Sequence, residues 1–149
     1  MSEDTNQKSL NHDALVLYVD GASFGNPGPA GAAFVLEAAE GELKRASIPL
    51  GTCTNNEAEY RALIAGLYEA AARRARRIII RSDSQLLIRQ MRGEYKVKAK
   101  NLQPLHKWAQ KVARRFEHVC WQHIPREQNA LADALAKQAA ERSRRHGSQ

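Results

Sequence analysis

Few features that announce a chemistry at first sight are present in this chain of 149 residues. Its two cysteines, Cys53 and Cys120, lie far apart and belong to no CxxC pair. They cannot by themselves build a zinc site, and they give no disulfide framework of the kind small secreted domains need. Two thiols in a reducing cytoplasm are expected instead. Long apolar runs are also missing. Residues 14–19 and 78–80 fall far short of the roughly 20 residues that cross a bilayer, so a soluble protein with no membrane partner is expected. Residues 1–12 are polar and hold no apolar segment of the kind that marks a secretory signal. No GxxxxGK[ST], strand-borne GxGxxG, HExxH or GxSxG motif occurs.

What the chain does have is positive charge and enough apolar residues to bury a core. Lysine and arginine outnumber acids 23 to 16, for a net charge of +7, and 43% of residues are hydrophobic. Such a field attracts polyanions, because bound cations release counterions from a phosphate backbone. The charge is clustered at Arg73, Arg74, Arg76 and Arg77, at Lys96, Lys98 and Lys100, and at Arg142, Arg144 and Arg145. Each cluster alone suits a solvated face; together they lean toward nucleic acid.

The length fits one domain. A polar tail over residues 1–13, a domain over 14–142 and a frayed basic tail over 143–149 are expected. Residues 14–19 are apolar on both alternating faces, as in a central strand covered on both sides. Residues 21–31 hold several glycines and two prolines and read as a turn region. Strands over 32–37 and 43–49 follow, giving an antiparallel meander. Thr54-Asn55-Asn56-Glu57 is a capping box that opens a long helix, whose apolar stripe is Tyr60, Leu63, Ile64, Leu67 and Ala71. A strand at 78–80, a helix from 82–84 to Met91, an exposed basic loop at 92–100 and a helix to Arg115 come next. A last strand at 119–124 and a last helix from Asn129 to about Arg144 complete the order. The fold class is α/β, a mixed sheet with helices on both faces.

Acids stand where these elements end. Asp20 closes the first strand and Asp83 the fourth, at the carboxyl ends that border the ligand crevice of an open α/β sheet. At an effective dielectric of about 20, such charges repel by roughly 4 kcal/mol at about 4 Å. The pair persists only if one is protonated or a cation lies between them. Asp83 is equally explained as a helix N-cap. Glu57 is accounted for by the capping box and by Arg61 four residues on. Glu59 has no such partner, since Ala62, Leu63 and Gly66 flank it on its helix face. Asp133 lies among Ala130, Leu131 and Ala136, with Lys137 as a salt-bridge alternative. Four acids converging on one sheet end could hold two divalent cations about 3.5–4 Å apart, the spacing of phosphodiester chemistry. Hard oxygen ligands favour Mg²⁺ or Mn²⁺. The residues alone thus reach a metal-dependent hydrolase of phosphoesters.

Tyr18-Val19-Asp20-Gly21-Ala22-Ser23 and Asn26-Pro27-Gly28-Pro29-Ala30-Gly31 resemble the opening motif of the type 1 ribonucleases H. Thr54-Asn55-Asn56 with Glu59, Ser82-Asp83-Ser84-Gln85, and Asn129 with Asp133-Ala134-Leu135-Ala136 continue the likeness in order, over residues 14–140. The resemblance, to the compact prokaryotic and archaeal branch, implies a five-stranded mixed sheet with three antiparallel strands followed by two parallel ones. It implies two Mg²⁺ or Mn²⁺ ions held by Asp20, Glu59, Asp83 and Asp133, and cleavage of the RNA strand of RNA–DNA hybrids to 5′-phosphate and 3′-hydroxyl ends. Asn26, Thr54, Asn55, Asn56, Gln85 and Asn129 form its substrate-binding set, with Asn26, Asn56 and Gln85 as amides that read the minor groove. Asn26 also suits a turn, and Asn56 a first helical turn. Double-stranded RNA is a further candidate substrate; no protein partner is implied.

The chain departs from better-known members in three places. Only residues 125–128 separate the last strand from Asn129, where longer members carry a catalytic histidine; His123 reads as a strand end and a peripheral residue. The basic protrusion is absent or reduced to residues 93–100. Glu57 stands where some relatives have a phosphate-binding arginine. No separate hybrid-binding domain is expected. Two other functions remain open, a DNA-cutting nuclease of the same fold and an inactive nucleic-acid-binding module. The Thr54–Asn56 and Gln85 motifs argue against the first, and the complete carboxylate set against the second.

Overall fold

The computed structural model describes residues 14–147; the tail expected over residues 1–13 lies outside them. Strands β1 (Ala14–Ser23), β2 (Gly28–Ala38) and β3 (Gly41–Cys53) form the antiparallel meander. Helix α1 (Asn55–Ala72) leads to β4 (Arg77–Ser82). Then come α2 (Gln85–Met91), α3 (Gln103–Ala113), β5 (His118–His123), a 3₁₀ turn (Arg126–Asn129) and α4 (Ala130–Gly147). The sheet order is β3-β2-β1-β4-β5, with β4 parallel to β1 and β5 parallel to β4. The expected mixed five-stranded sheet is present, and β1 is its central strand.

Alternation decides which helix covers which face. Leu15, Leu17 and Val19 of β1, with Phe34, Leu36, Ile78 and Ile80 of its neighbours, are buried beneath Tyr60, Leu63 and Leu67 of α1 and Leu105 and Val112 of α3. The opposite face of β2 receives α4. A Cβ at Gly31 would lie 2.4 Å from the Ala140 backbone nitrogen and 2.5 Å from the Ala139 Cβ, so only glycine admits the helix there.

Two expectations are corrected. Residues 21–31 are not one turn region: β1 runs to Ser23, β2 starts at Gly28, and only residues 24–27 turn. Gly21 and Gly31 are strand residues whose missing side chains make room for helices rather than for a turn. The C-terminal segment expected to fray from residue 143 is helical to Gly147. Its anchor is Ser143, which is buried, donates to the Ala30 carbonyl (2.7 Å) and accepts from Leu50 N and Gly51 N (3.1 Å each).

Candidate active site

Register brings the first two carboxylates together. Tyr18 of β1 pairs with Arg81 of β4 in the parallel ladder. Asp20 and Asp83 each lie two residues further on, level with each other at the carboxyl end of the sheet. Gly21 then admits the third. A Cβ there would sit 2.4 Å from Glu59 N and 2.5 Å from Ala58 C, so its absence lets the first turns of α1 rest on β1 with Glu59 beside Asp20. The fourth, Asp133, stands on the first turn of α4.

Local chemistry settles the alternatives. Thr54 caps α1: its hydroxyl accepts from Glu57 N (3.1 Å) and Glu57 Oε1 accepts from Thr54 N (2.8 Å). That reciprocal pair absorbs Glu57 and commits the Thr54 hydroxyl to the helix. Ser84, not Asp83, caps α2, accepting from Leu87 N at 3.2 Å. Asp83 is therefore free of the capping role and faces the cavity.

Asp20, Glu59, Asp83 and Asp133 line one open cavity of about 630 Å³, with Phe24, Asn55, Asn56, Ser84, His123, Arg126 and Lys137 among its other walls. Asp20 is 6% exposed and Glu59 8%. Burial, then the charge of Asp83 and the approach of Asp133 and Glu59, pushes the Asp20 carboxyl up to about 8. Burial and the nearby Asp83 raise Glu59 to about 7, against the lowering influence of the Ser84 hydroxyl. Glu59 Oε1 accepts weakly from Asn55 Nδ2 (3.4 Å), while its buried Oε2 has no hydrogen-bond partner among the described residues. The two outer carboxylates have cationic neighbours, Lys137 Nζ at 3.1 Å from Asp133 and Arg126 Nε at 3.9 Å from Asp83. Among the described residues no three His, Cys, Asp or Glu side chains already surround one point where an ion would sit. The donor set itself, hard carboxylate oxygens with one buried oxygen unused, fits divalent cations of the Mg²⁺ class.

The remaining sequence-predicted residues separate. Asn55 and Asn56 line the cavity. Asn26 accepts from Asn55 N (3.1 Å), which leaves its amide nitrogen outward on an exposed turn. Gln85 is exposed on the first turn of α2, where its oxygen can accept from Arg89 Nη2 at 2.9 Å. Asn129 is 1% exposed and donates to the Val19 carbonyl (3.0 Å), so it holds the start of α4 against β1. His123 does end β5, yet it lies on the cavity wall with Nε2 3.3 Å from the Asp83 carbonyl. Phe24 and Arg126 were not singled out as site residues. Only the position of Arg126 in the short loop before Asp133 could have drawn attention to it.

Residues 18–139 match the family described as reverse transcriptase-like. The bifunctional protein Rv2228c of Mycobacterium tuberculosis is 41% identical over 84% of this chain, which spans 35% of that protein's length. Its N-terminal RNase H domain, solved as a fusion with maltose-binding protein, superposes with a TM-score of 0.87 at 38% identity, covering 90% of this chain and 98% of that one. Ribonuclease HI of Halobacterium salinarum is 40% identical over 82% of this chain and 62% of its own. LC11-RNase H1, solved in complex with an RNA/DNA hybrid, gives a TM-score of 0.80 at 34% identity over 87% and 98% of the two chains. The chain thus spans about a third of the first curated relatives it matches, within the segment solved as their RNase H domain. With the sheet order, the level pair Asp20 and Asp83 and these matches agreeing, the chain belongs to the ribonuclease H family.

Proposed function

We propose that this domain is a metal-dependent endonuclease that hydrolyses the RNA strand of RNA–DNA hybrids, leaving 5′-phosphate and 3′-hydroxyl ends. The observation that carries the reading is the convergence of Asp20, Glu59, Asp83 and Asp133 on one cavity with a buried Glu59 oxygen unpartnered. A polar atom buried without a partner costs about 1–3 kcal/mol. A ribonuclease H gains from keeping it, because the family depends on divalent metal.

Asp20, Glu59, Asp83 and Asp133 are the residues that would hold two Mg²⁺ or Mn²⁺ ions. When bound, such ions supply an acidified attacking water and positive charge at the leaving oxygen. The protein's part is to present carboxylates in the ionised form, so Asp20 and Glu59 must release the protons that burial favours. Lys137 and Arg126 place positive charge at the rim, where the phosphates of a duplex pass. Asn26, Asn55 and Asn56 offer neutral donors and acceptors suited to the 2′-hydroxyls and base edges of a wide, shallow minor groove.

End-labelled hybrid, double-stranded RNA and DNA duplexes of one sequence, incubated with Mg²⁺, Mn²⁺ or EDTA, test the reading. Cuts confined to the RNA strand and abolished by EDTA are expected. Comparable cleavage of the all-DNA duplex, or cleavage that survives chelation, would reject it.

A further inference from the structure

Phe24 is a large apolar side chain standing exposed (43%) at the wall of the carboxylate cavity. A single exposed apolar residue is ordinary on a protein surface; the way this one is held is not. Its N–H donates to the Pro29 carbonyl (2.8 Å), Gly25 beside it takes φ +124°, and the Ser23 hydroxyl lies in hydrogen-bond reach of both the Gly25 and the Cys53 carbonyls. The turn that carries the ring is therefore fixed at both flanks. Arg144 of α4 stands over the ring, Cζ 5.7 Å from its centroid, and is itself bonded to Glu141 (2.6 Å). The other exposed aromatics bond to neighbours through polar atoms: Trp108 to Tyr68 (2.8 Å) and Tyr95 to Arg89 (3.2 Å). Phe24 has no polar atom to spend, and Asn26, two residues on, lies in the same turn.

We propose that Phe24 is a shape gauge for the substrate, a reading that rests on the nuclease function proposed above. Its ring lies against ribose faces in the wide, shallow minor groove that an RNA-containing duplex presents. The B-form minor groove, about 6 Å wide, takes such a ring only at the cost of deforming the duplex. The amides report hydroxyls; the ring reports groove width. Arg144 braces the ring by stacking.

The test is fluorescence anisotropy in EDTA, with labelled hybrid and all-DNA duplexes of one sequence, for wild type, Phe24→Ala, Phe24→Leu and Arg144→Gln. Phe24→Ala is expected to weaken hybrid binding about tenfold, the scale of one lost aromatic contact to nucleic acid. DNA binding should stay within about twofold or tighten. Phe24→Leu should fall between, and Arg144→Gln should narrow the hybrid preference by about threefold. In cleavage assays KM should rise while kcat holds. Melting temperatures check folding, and Phe24→Leu carries the same comparison if the alanine variant melts early. Equal weakening on both duplexes, or none on either, overturns the gauge while a wild type that prefers hybrid keeps the nuclease reading. A wild type that binds both duplexes equally also overturns the gauge, and the nuclease reading then stands or falls on whether cleavage is confined to the RNA strand.

Discussion

Around Ser143 one buried hydroxyl meets the Ala30 carbonyl and the amides of Leu50 and Gly51, so every polar group it faces is used. Around Glu59 the accounting is the reverse. One carboxylate oxygen is buried without a partner, Asp20 sits beside it among other acids, and Asn129 Oδ1 behind them is also unpaired. Both side chains are buried, Ser143 at 6% and Glu59 at 8% exposure, and each lies where a helix packs on the sheet. The difference is that the first has reached its lowest energy in the free protein, whereas the second needs something from outside. Unsatisfied polar groups in a folded domain concentrate where a ligand will complete them.

The comparison can be broken from either side. The largest effect is expected at the unsatisfied site. Glu59→Gln and Asp83→Asn should lower hybrid cleavage by several orders of magnitude. Their metal-free melting temperatures should stay level or rise, because removing one charge relieves repulsion among the rest. Near-wild-type turnover by Asp83→Asn would end the assignment. Ser143→Ala should do the opposite. It strands a carbonyl and two amides at about 1–3 kcal/mol in total stability, lowering the melting temperature by about 2–10 °C while turnover per folded molecule stays within about twofold.

Acidity sharpens the contrast further. Burial holds Asp20 at about 8 and Glu59 at about 7, above their ordinary 3.8 and 4.5. A folded state that binds protons more tightly than the unfolded chain is favoured below the unfolded pKa and loses that advantage as pH rises through the folded one. Metal-free protein should therefore lose several degrees of melting temperature between about pH 4 and pH 8. Asp20→Asn should lose less, and millimolar Mg²⁺ should shrink the wild-type loss. A wild-type curve that parallels Asp20→Asn would remove the buried acids as its cause. The smallest effect is expected at His123, whose ring nitrogen meets the Asp83 carbonyl (3.3 Å) and which ends a strand rather than riding a long loop. His123→Ala should cost less than tenfold in turnover; a loss as deep as that of Glu59→Gln would place it in the chemistry.

Much of this arrangement was legible in the residues. The capping box, the apolar stripe of α1 and the β-branched strand β4 are local signals, and each element formed where its signal lay. Glu59 stood out as an acid with no helical partner, and its burial is the reason. Gly21 and Gly31 were misread, because a glycine that admits a helix and a glycine that makes a turn look alike until the helix is in place. The burial of Asn129 was invisible for the same reason: its partner, the Val19 carbonyl, is 110 residues away in sequence. Phe24 carried no signal either, since one aromatic in a glycine-rich segment has no periodicity to expose it.

The order in which the sheet closes has a kinetic consequence. β1, β2 and β3 pair through neighbouring residues, so the meander can form early from local contacts. Asp83 and Asp133 arrive only when the parallel crossover to β4 and the final helix have docked, with Ala14 meeting Arg77 across most of the first half of the chain. Repulsion among the carboxylates is then absent from most of the climb to the native state and falls on its last steps. A divalent ion should accordingly slow unfolding while leaving the refolding rate nearly untouched.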